Sequence, residues 1–127
     1  MKYNLDKQEK YSILSLEEEK LDSMISPDIK SVFHNVQAEG SKNIIVDLSK
    51  VKYSDSSGLS ALLVGNRIFT DQQGAFVLAA VSDHVMKLIK ISMLDKVLDI
   101  IPTVAESVDA ILLHEVEAEL NRQNEEE

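Results

Sequence analysis

Two short runs of this chain are apolar at nearly every position, and they restrict the fold more than any other feature of the sequence. Residues Asn43–Leu48 and Ala75–Ala80 consist mainly of Ile, Val, Leu, Phe and Ala. A strand with one solvated face alternates apolar and polar residues, whereas a strand covered on both faces is apolar throughout. Both runs are therefore predicted to be buried strands inside a sheet.

An amphipathic helix is predicted before the first of these strands. Ser26 is expected to be its N-cap, with Pro27 at the first helical position and Gly40 at its end. Its apolar residues recur at the spacing that places side chains on one side of a helix. They are Ile29, Val32, Phe33 and Val36. This helix is therefore expected to bury one stripe.

The rest of the chain continues the alternation of strands and helices. Further strands are predicted near residues 3–5, at 11–16 and at 97–101. The last two helices are predicted to begin at the cap Ser82-Asp83 and in the capping box Thr103–Glu106. The final helix is expected to pack against the domain core through Val108, Ile111 and Leu112. Such an order is typical of an α/β fold with a mostly parallel or mixed sheet and helices packed against it.

The length of 127 residues leaves room for one domain. We expect this domain to span residues 1–113. Residues 114–127 are polar and acidic, and they are predicted to form an extension that is helical or frays into solvent.

The composition argues against several classes of function. The net charge is −9, from 22 acidic and 13 basic residues, which disfavours nucleic acid and suits a protein partner with a positive face. The absence of cysteine excludes disulfides, thiolate catalysis and cysteine-ligated zinc. No apolar run approaches the roughly 20 residues that cross a bilayer, and the start of the chain is too polar for a signal peptide. We therefore expect a cytoplasmic protein that does not insert into a membrane.

The most informative segment follows the first buried strand. The run Asp55-Ser56-Ser57-Gly58-Leu59 lies where a second helix is predicted to begin, at Ser57 or a neighbour. Backbone N–H groups in a first helical turn lack intrahelical partners, so they could hold a phosphate on Ser56 or Ser57. Gly58 would leave space for that phosphate. Simple capping of the helix explains the same residue types, and on spacing alone both interpretations stay open.

A longer stretch resembles a known family. Residues Val46–Leu59 resemble the STAS domain of bacterial anti-sigma-factor antagonists, in which an apolar strand, Asp-Leu-Ser and a short loop with an aromatic precede Asp-Ser-Ser/Thr-Gly-Leu. The order of strands and helices fits this family from Tyr11 to Leu113, including the turn Leu94–Val97. The resemblance implies a single STAS-type α/β domain, with a four- to five-stranded mixed sheet and helices packed on one side.

The resemblance also implies a function, partner switching. The unphosphorylated protein would bind an anti-sigma factor or related serine kinase, the kinase would release it by phosphorylating it, and a PP2C-type phosphatase would restore it. By position, Ser56 would be the phosphoacceptor, Asp55 would shape its surroundings and Ser57 would cap the helix. The residues expected at the partner-binding surface are Asp22, Asp55, Ser57, Gly58 and Leu59.

Two positions depart from the family pattern. The family usually has glycine where this chain has Glu19, and often glycine where it has Ser60. Both lie near the expected docking face, so they bear on which partner is bound. The alternative function is a constitutive STAS scaffold subunit of a transport or signalling complex, in which the serine is only a helix cap.

Enzymatic chemistry has little support in the sequence. The three histidines, His34, His84 and His114, are scattered without metal-ligand spacing, so surface positions are expected for them. No nucleophile elbow surrounds Ser56, and no glycine-rich phosphate loop is present. Asp22 and Asp55 could in principle form a carboxylate pair. We expect no enzyme, no cofactor and no metal site.

Overall fold

Five strands form the central sheet of the computed structural model, which describes residues 1–126. In chain order the strands are β1 (Tyr3–Lys7), β2 (Ser12–Leu16), β3 (Lys20–Leu21), β4 (Ile44–Asp47), β5 (Tyr53–Ser54), β6 (Phe76–Ala79) and β7 (Asp99–Ile101). The helices are α1 (Ser26–Ala38), α2 (Ser56–Asp71), α3 (Asp83–Ile91) and α4 (Val104–Glu126), with a short 3-10 helix at Leu94–Lys96. The predicted α/β class is confirmed.

The main sheet has the strand order β1-β2-β4-β6-β7. Only β1 is antiparallel to its neighbour, while β2, β4, β6 and β7 run parallel. Parallel neighbours need crossover connections, which the helices supply. The short strands β3 and β5 form a separate parallel pair, in which Leu21 lies opposite Ser54. Strand β5 directly precedes α2 in the chain, so the pair positions the first turn of that helix.

The apolar strands are covered on both faces. Ile44 and Val46 of β4 join one core cluster with α1, α2 and α3, whereas Ile45 joins a second cluster with Ile111 of α4. In the first cluster, Phe33 and Phe76 meet edge to face with ring centroids 5.4 Å apart. Three helices therefore lie on one face and α4 on the other. The expectation that all helices lie on one side is wrong for α4, because the second face of β4 and β6 is also apolar and needs cover.

Two predicted helix caps are confirmed, and the cap predicted for α1 is wrong. The Ser82 hydroxyl accepts from the Val85 N–H at 3.4 Å, and the Thr103 hydroxyl accepts from the Glu106 N–H at 3.1 Å. At α1 the N-cap position is Ile25, and no side chain caps this end. Ser26 instead lies inside the helix and donates its hydroxyl hydrogen bond to the Ser57 carbonyl at 3.2 Å. A residue predicted to cap one helix therefore links it to the start of another.

Helix α4 continues past the core without a break. Ile111 is buried, but Leu112, predicted to point inward, is 39% exposed. The buried Asn43 anchors the helix further along, since its amide donates to the Glu115 carboxylate at 2.8 Å. The end of the domain that we predict after residue 113 stays a prediction. The predicted extension is helical through Glu126, and Glu127 lies outside the described residues. Over the described part of the chain, no helix combines the length and apolar character needed to cross a membrane.

Candidate functional site

The first turn of α2 is held against β3 by contacts that leave no free space. The buried Ser54 donates its hydroxyl hydrogen bond to the Leu21 carbonyl at 2.9 Å. A Cβ added to Gly58 would lie 2.0 Å from the Leu21 carbonyl oxygen and 2.5 Å from the Ser54 hydroxyl oxygen. Glycine is required here because the helix backbone approaches a strand backbone that cannot move aside. The space at Gly58 therefore serves packing, and the prediction that it makes room for a phosphate is wrong.

The carboxylate of Asp55 joins two parts of the chain at this point. Its Oδ1 accepts from the Gly58 N–H at 2.9 Å, so Asp55 is the N-cap of α2. Its Oδ2 accepts from the Ser23 N–H at 3.2 Å, which fixes the loop before α1 beside the helix start. The prediction that Ser57 caps the helix is wrong, because the residue before Ser56 already has the extended backbone of a cap.

The two serines of the motif differ in accessibility. Ser56 is exposed at the first helical position, and its hydroxyl forms no hydrogen bond with any described residue. Ser57 is half-buried, and its carbonyl accepts from the Ser26 hydroxyl. The first-turn N–H groups of both residues have no acceptor within the helix, and the helix dipole adds partial positive charge there. Of the two serines, Ser56 is the more exposed.

Asp22 shapes the neighbouring loop. Its Oδ1 accepts from the Met24 N–H at 3.0 Å, and its carbonyl accepts from the Ser26 N–H at 2.9 Å. Asp22 and Asp55 therefore stabilise the same short loop from its two sides, with Ser23 between them. The structure brings this loop to the start of α2, as the resemblance implies.

Gly58 and Leu59 lie beneath the surface of this site. Gly58 is buried and Leu59 is 7% exposed within the core cluster. Their role in partner binding stays a prediction, and their side of the helix can act on a partner only by holding Ser56 in place.

Two exposed apolar side chains border the site and were missed in the sequence. Met24 is 81% exposed at the tip of the loop held by Asp55, and Tyr53 is 45% exposed on β5. Tyr53 stacks on His84 with ring centroids 6.3 Å apart. An exposed methionine in a polar loop is the signal that could have identified Met24, because such side chains are common at binding surfaces.

An acidic groove runs alongside Met24. Its lining includes Glu17, Glu18 and Asp22, together with Lys2 and Lys20. Glu17 and Glu19 form exposed ion pairs with Lys50 at 3.7 Å and Lys52 at 3.4 Å, and exposed pairs of this kind contribute little stability. Glu19, one of the two departures from the family pattern, therefore places a charged side chain at the rim of the site.

His34, His84 and His114 are exposed, which confirms their expected surface positions. Within residues 1–126, no group of three or more His, Asp or Glu side chains is placed to hold a metal ion. The expectations of no cofactor and no metal stay predictions.

Comparison with known proteins identifies the family. A family model of the STAS domain matches residues 2–107. The anti-sigma-B factor antagonist of Listeria monocytogenes is 26% identical over 80 residues, covering 63% of this chain and 70% of that protein.

Solved structures agree with this match. An anti-sigma-factor antagonist (STAS) domain protein from Planctomyces limnophilus superposes with a TM-score of 0.78 at 19% identity, covering 87% of this chain and 97% of that one. The Bacillus cell fate determinant SpoIIAA in its phosphorylated form gives 0.67 at 20% identity, covering 87% and 99%. A sulfate transporter family protein from Wolinella succinogenes gives 0.69 at 18% identity, covering 82% and 86%. From its first residues to the start of α4, this chain belongs to the STAS domain family.

Proposed function

We propose that this chain is an anti-sigma-factor antagonist that works by partner switching at Ser56. In the unphosphorylated state it binds an anti-sigma factor that is also a serine kinase. Phosphorylation of Ser56 by that kinase releases it, and a PP2C-type phosphatase returns it to the binding state. The proposal includes a cytoplasmic location and no catalytic role for the chain itself.

The exposed hydroxyl of Ser56 is the observation that carries this proposal. Because Asp55 caps α2, capping does not explain the serine that follows it. The hydroxyl stands at a helix start that is fixed by the packing of Gly58 against Leu21. A relative described in a phosphorylated form adds support, since SpoIIAA has the same fold.

The chemistry of release follows from charge. A phosphate adds roughly −1.5 to −2 charge at one point of the surface. At Ser56 it would follow Asp55, whose carboxylate holds the loop that carries Met24 and lines the acidic groove. A partner that buries Ser56 against apolar or acidic groups would have to desolvate this charge or repel it. First-turn N–H groups would hold the phosphate, so that release needs no unfolding.

A negative charge placed at Ser56, and separately at an exposed position far along α2, tests the proposal. Ser56→Asp is expected to weaken binding to the cognate kinase at least about tenfold, while Ser56→Ala keeps binding and abolishes phosphate incorporation. Thr70→Asp is the matched control, because Thr70 is exposed near the other end of the same helix, and this variant is expected to bind the kinase as wild type does. Calorimetry and phosphopeptide mapping provide the readouts. Equal affinity of Ser56→Asp and wild type for the kinase would show that Ser56 is not the switch.

The second candidate is a constitutive scaffold subunit of a transport or signalling complex. The similarity to a sulfate transporter family protein favours it. Native mass spectrometry of protein purified from its own cells separates the two functions. The scaffold predicts a stable stoichiometric complex with no phosphopeptide covering Ser56 under any growth condition.

A further inference from the structure

An apolar stripe runs along the solvent side of α4. It comprises Leu112, Leu113, Val116 and Leu120, which are 39%, 60%, 56% and 53% exposed. Their spacing places them on one side of the helix, away from the face through which Ile111 packs on the sheet. We call these four residues the α4 stripe. The domain core does not use them, since each leaves a large part of its surface in solvent.

The α4 stripe has an acidic border on one side, whereas Lys10 lines the groove beside Leu112 and Val116 on the other. Asp109 and Glu117 are exposed on the same helix, one turn before and one turn after Leu113. Glu119 is different, because hydrogen bonding to the Arg122 guanidinium lowers the pKa of its carboxyl and offsets its charge. A helix that is apolar along one line and acidic beside it favours a partner surface that is apolar and basic.

A surface of that kind exists elsewhere on the same chain. Three apolar residues at the end of α3 and around the 3-10 helix are strongly exposed: Ile91 at 80%, Met93 at 57% and Val97 at 55%. Exposed lysines surround them, namely Lys87, Lys90 and Lys96, with Asp95 as the acid within the segment. We call these three apolar residues and three lysines the α3 patch. It is a basic, apolar surface on a chain whose net charge is −9.

Met93 ends α3 with its side chain largely in solvent. Met93 has φ of 61°, in the left-handed region that glycine adopts at lower cost. This conformation ends α3 and begins the 3-10 helix, and the methionine side chain lies more than half in solvent. An exposed apolar side chain at a position suited to glycine has no packing explanation.

We propose that the α4 stripe of one copy of this chain binds the α3 patch of a second copy. The two surfaces cannot meet within one chain, because α3 and α4 pack on opposite faces of the sheet. An interface between two α4 stripes would bring acidic residues together, and one between two α3 patches would bring lysines together. An interface between an α4 stripe and an α3 patch pairs opposite charges. The two surfaces flank the same sheet edge, since both α4 and the 3-10 helix contact β7.

Such an interface is heterologous, so each pairing leaves one stripe and one patch free. Association therefore continues into a longer chain or closes into a ring. The α3 patch lies at the end of α3 opposite His84, which stacks on Tyr53 near Ser56. Assembly of this kind leaves the Ser56 site accessible and does not depend on the proposed switch.

Mixing two single-surface variants tests the proposal. Ile91→Gln with Met93→Gln disrupts the patch, and Leu113→Gln with Val116→Gln disrupts the stripe, all at exposed positions where the fold tolerates change. Sedimentation velocity from micromolar to millimolar concentration is expected to show wild type growing beyond a dimer, while each variant alone stays a monomer. Their equimolar mixture should form a heterodimer and nothing larger, because one intact stripe meets one intact patch.

Each other outcome overturns the proposal. A wild type that stays monomeric would mean that the surfaces serve another protein or remain solvated. Self-association that persists in the patch variant would indicate an interface between two α4 stripes. Self-association that persists in the stripe variant would indicate an interface between two α3 patches. Circular dichroism of each variant shows whether the fold is retained.

Charge reversal provides a second test. Lys90→Glu with Lys96→Glu, or Asp109→Lys with Glu117→Lys, should each weaken association at least about tenfold. The four substitutions combined in one chain should restore it, because the opposite charges are paired again. A combined variant that stays monomeric, with wild-type circular dichroism, would contradict the charge pairing.

Discussion

Gly58 shows how closely single atoms position this site. Its Cα faces the Leu21 carbonyl, and an added methyl group would meet that oxygen at 2.0 Å. Gly58→Ala is therefore expected to lower the free energy of unfolding by about 3 kcal/mol, at the upper end of overpacking costs. Urea denaturation measures this. Ser60→Ala, exposed on the same helix, is the control and should change stability by less than about 0.5 kcal/mol. A similar loss in both variants would contradict the close approach.

The two oxygens of Asp55 have separable roles. Asp55→Ala removes both the cap of α2 and the acceptor for the Ser23 N–H, so a loss of about 2 kcal/mol is expected. Asp55→Asn keeps one carbonyl oxygen for the cap and should lose only about 1 kcal/mol. Thermal and urea unfolding of both variants measure the difference. Equal losses would show that the cap contributes nothing, and an Asp55→Asn variant as stable as wild type would show that the link to the loop contributes nothing.

At the scale of elements, α4 is the helix that lies on the opposite face of the sheet from the one that the family resemblance implied. Ile111 lies 1% exposed in the cluster that covers the second face of the sheet. Ile111→Ala is expected to cost about 3 kcal/mol, because it removes apolar burial and leaves a cavity. Leu113→Ala, two residues on and 60% exposed, should cost less than about 0.5 kcal/mol. Chemical denaturation compares them, and equal costs would contradict the observed orientation of α4.

How well the sequence predicted each feature of the fold and the site depends on how far apart in the chain the interacting residues are. The continuous apolar runs at β4 and β6 predicted that both faces of these strands are covered, and the structure confirms this. The family resemblance implied helices on one side of the sheet only, and that expectation was wrong for α4. Local chemistry also identified the caps Ser82 and Thr103. These features depend on residues a few positions apart, for which sequence spacing carries the information.

Two of the errors came from contacts between distant parts of the chain. Ser26 looks like a cap, but its hydroxyl bonds to the carbonyl of Ser57, far along the sequence. The requirement for Gly58 likewise comes from Leu21 on another strand. No periodicity within either segment records such a contact, because tertiary packing decides which of several locally acceptable roles a residue takes. The site's residues could therefore be named from the sequence, while the division of roles among Asp55, Ser56 and Ser57 could not.

At the scale of the whole molecule, the contacts that position α2 do not involve the Ser56 hydroxyl. The cap by Asp55, the packing of Gly58 and the bond from Ser26 to Ser57 all lie on the inner side of the first turn. A charge at position 56 should therefore change the surface of a molecule whose fold stays the same. Partner release would then come from the altered surface itself, without a transition between two folds.

Nuclear magnetic resonance and denaturation together test this rigid switch. In Ser56→Asp, amide shift changes are expected around residues 22–26 and 53–60, with the shifts of β4, β6 and α4 unchanged. Stability should stay within about 0.5 kcal/mol of wild type, because attraction by the helix dipole opposes repulsion from Asp55. Shift changes spread across the sheet, or a large loss of stability, would mean that the charge acts by changing the fold. In that case, weakened binding by this variant would report unfolding instead of a change at the docking surface.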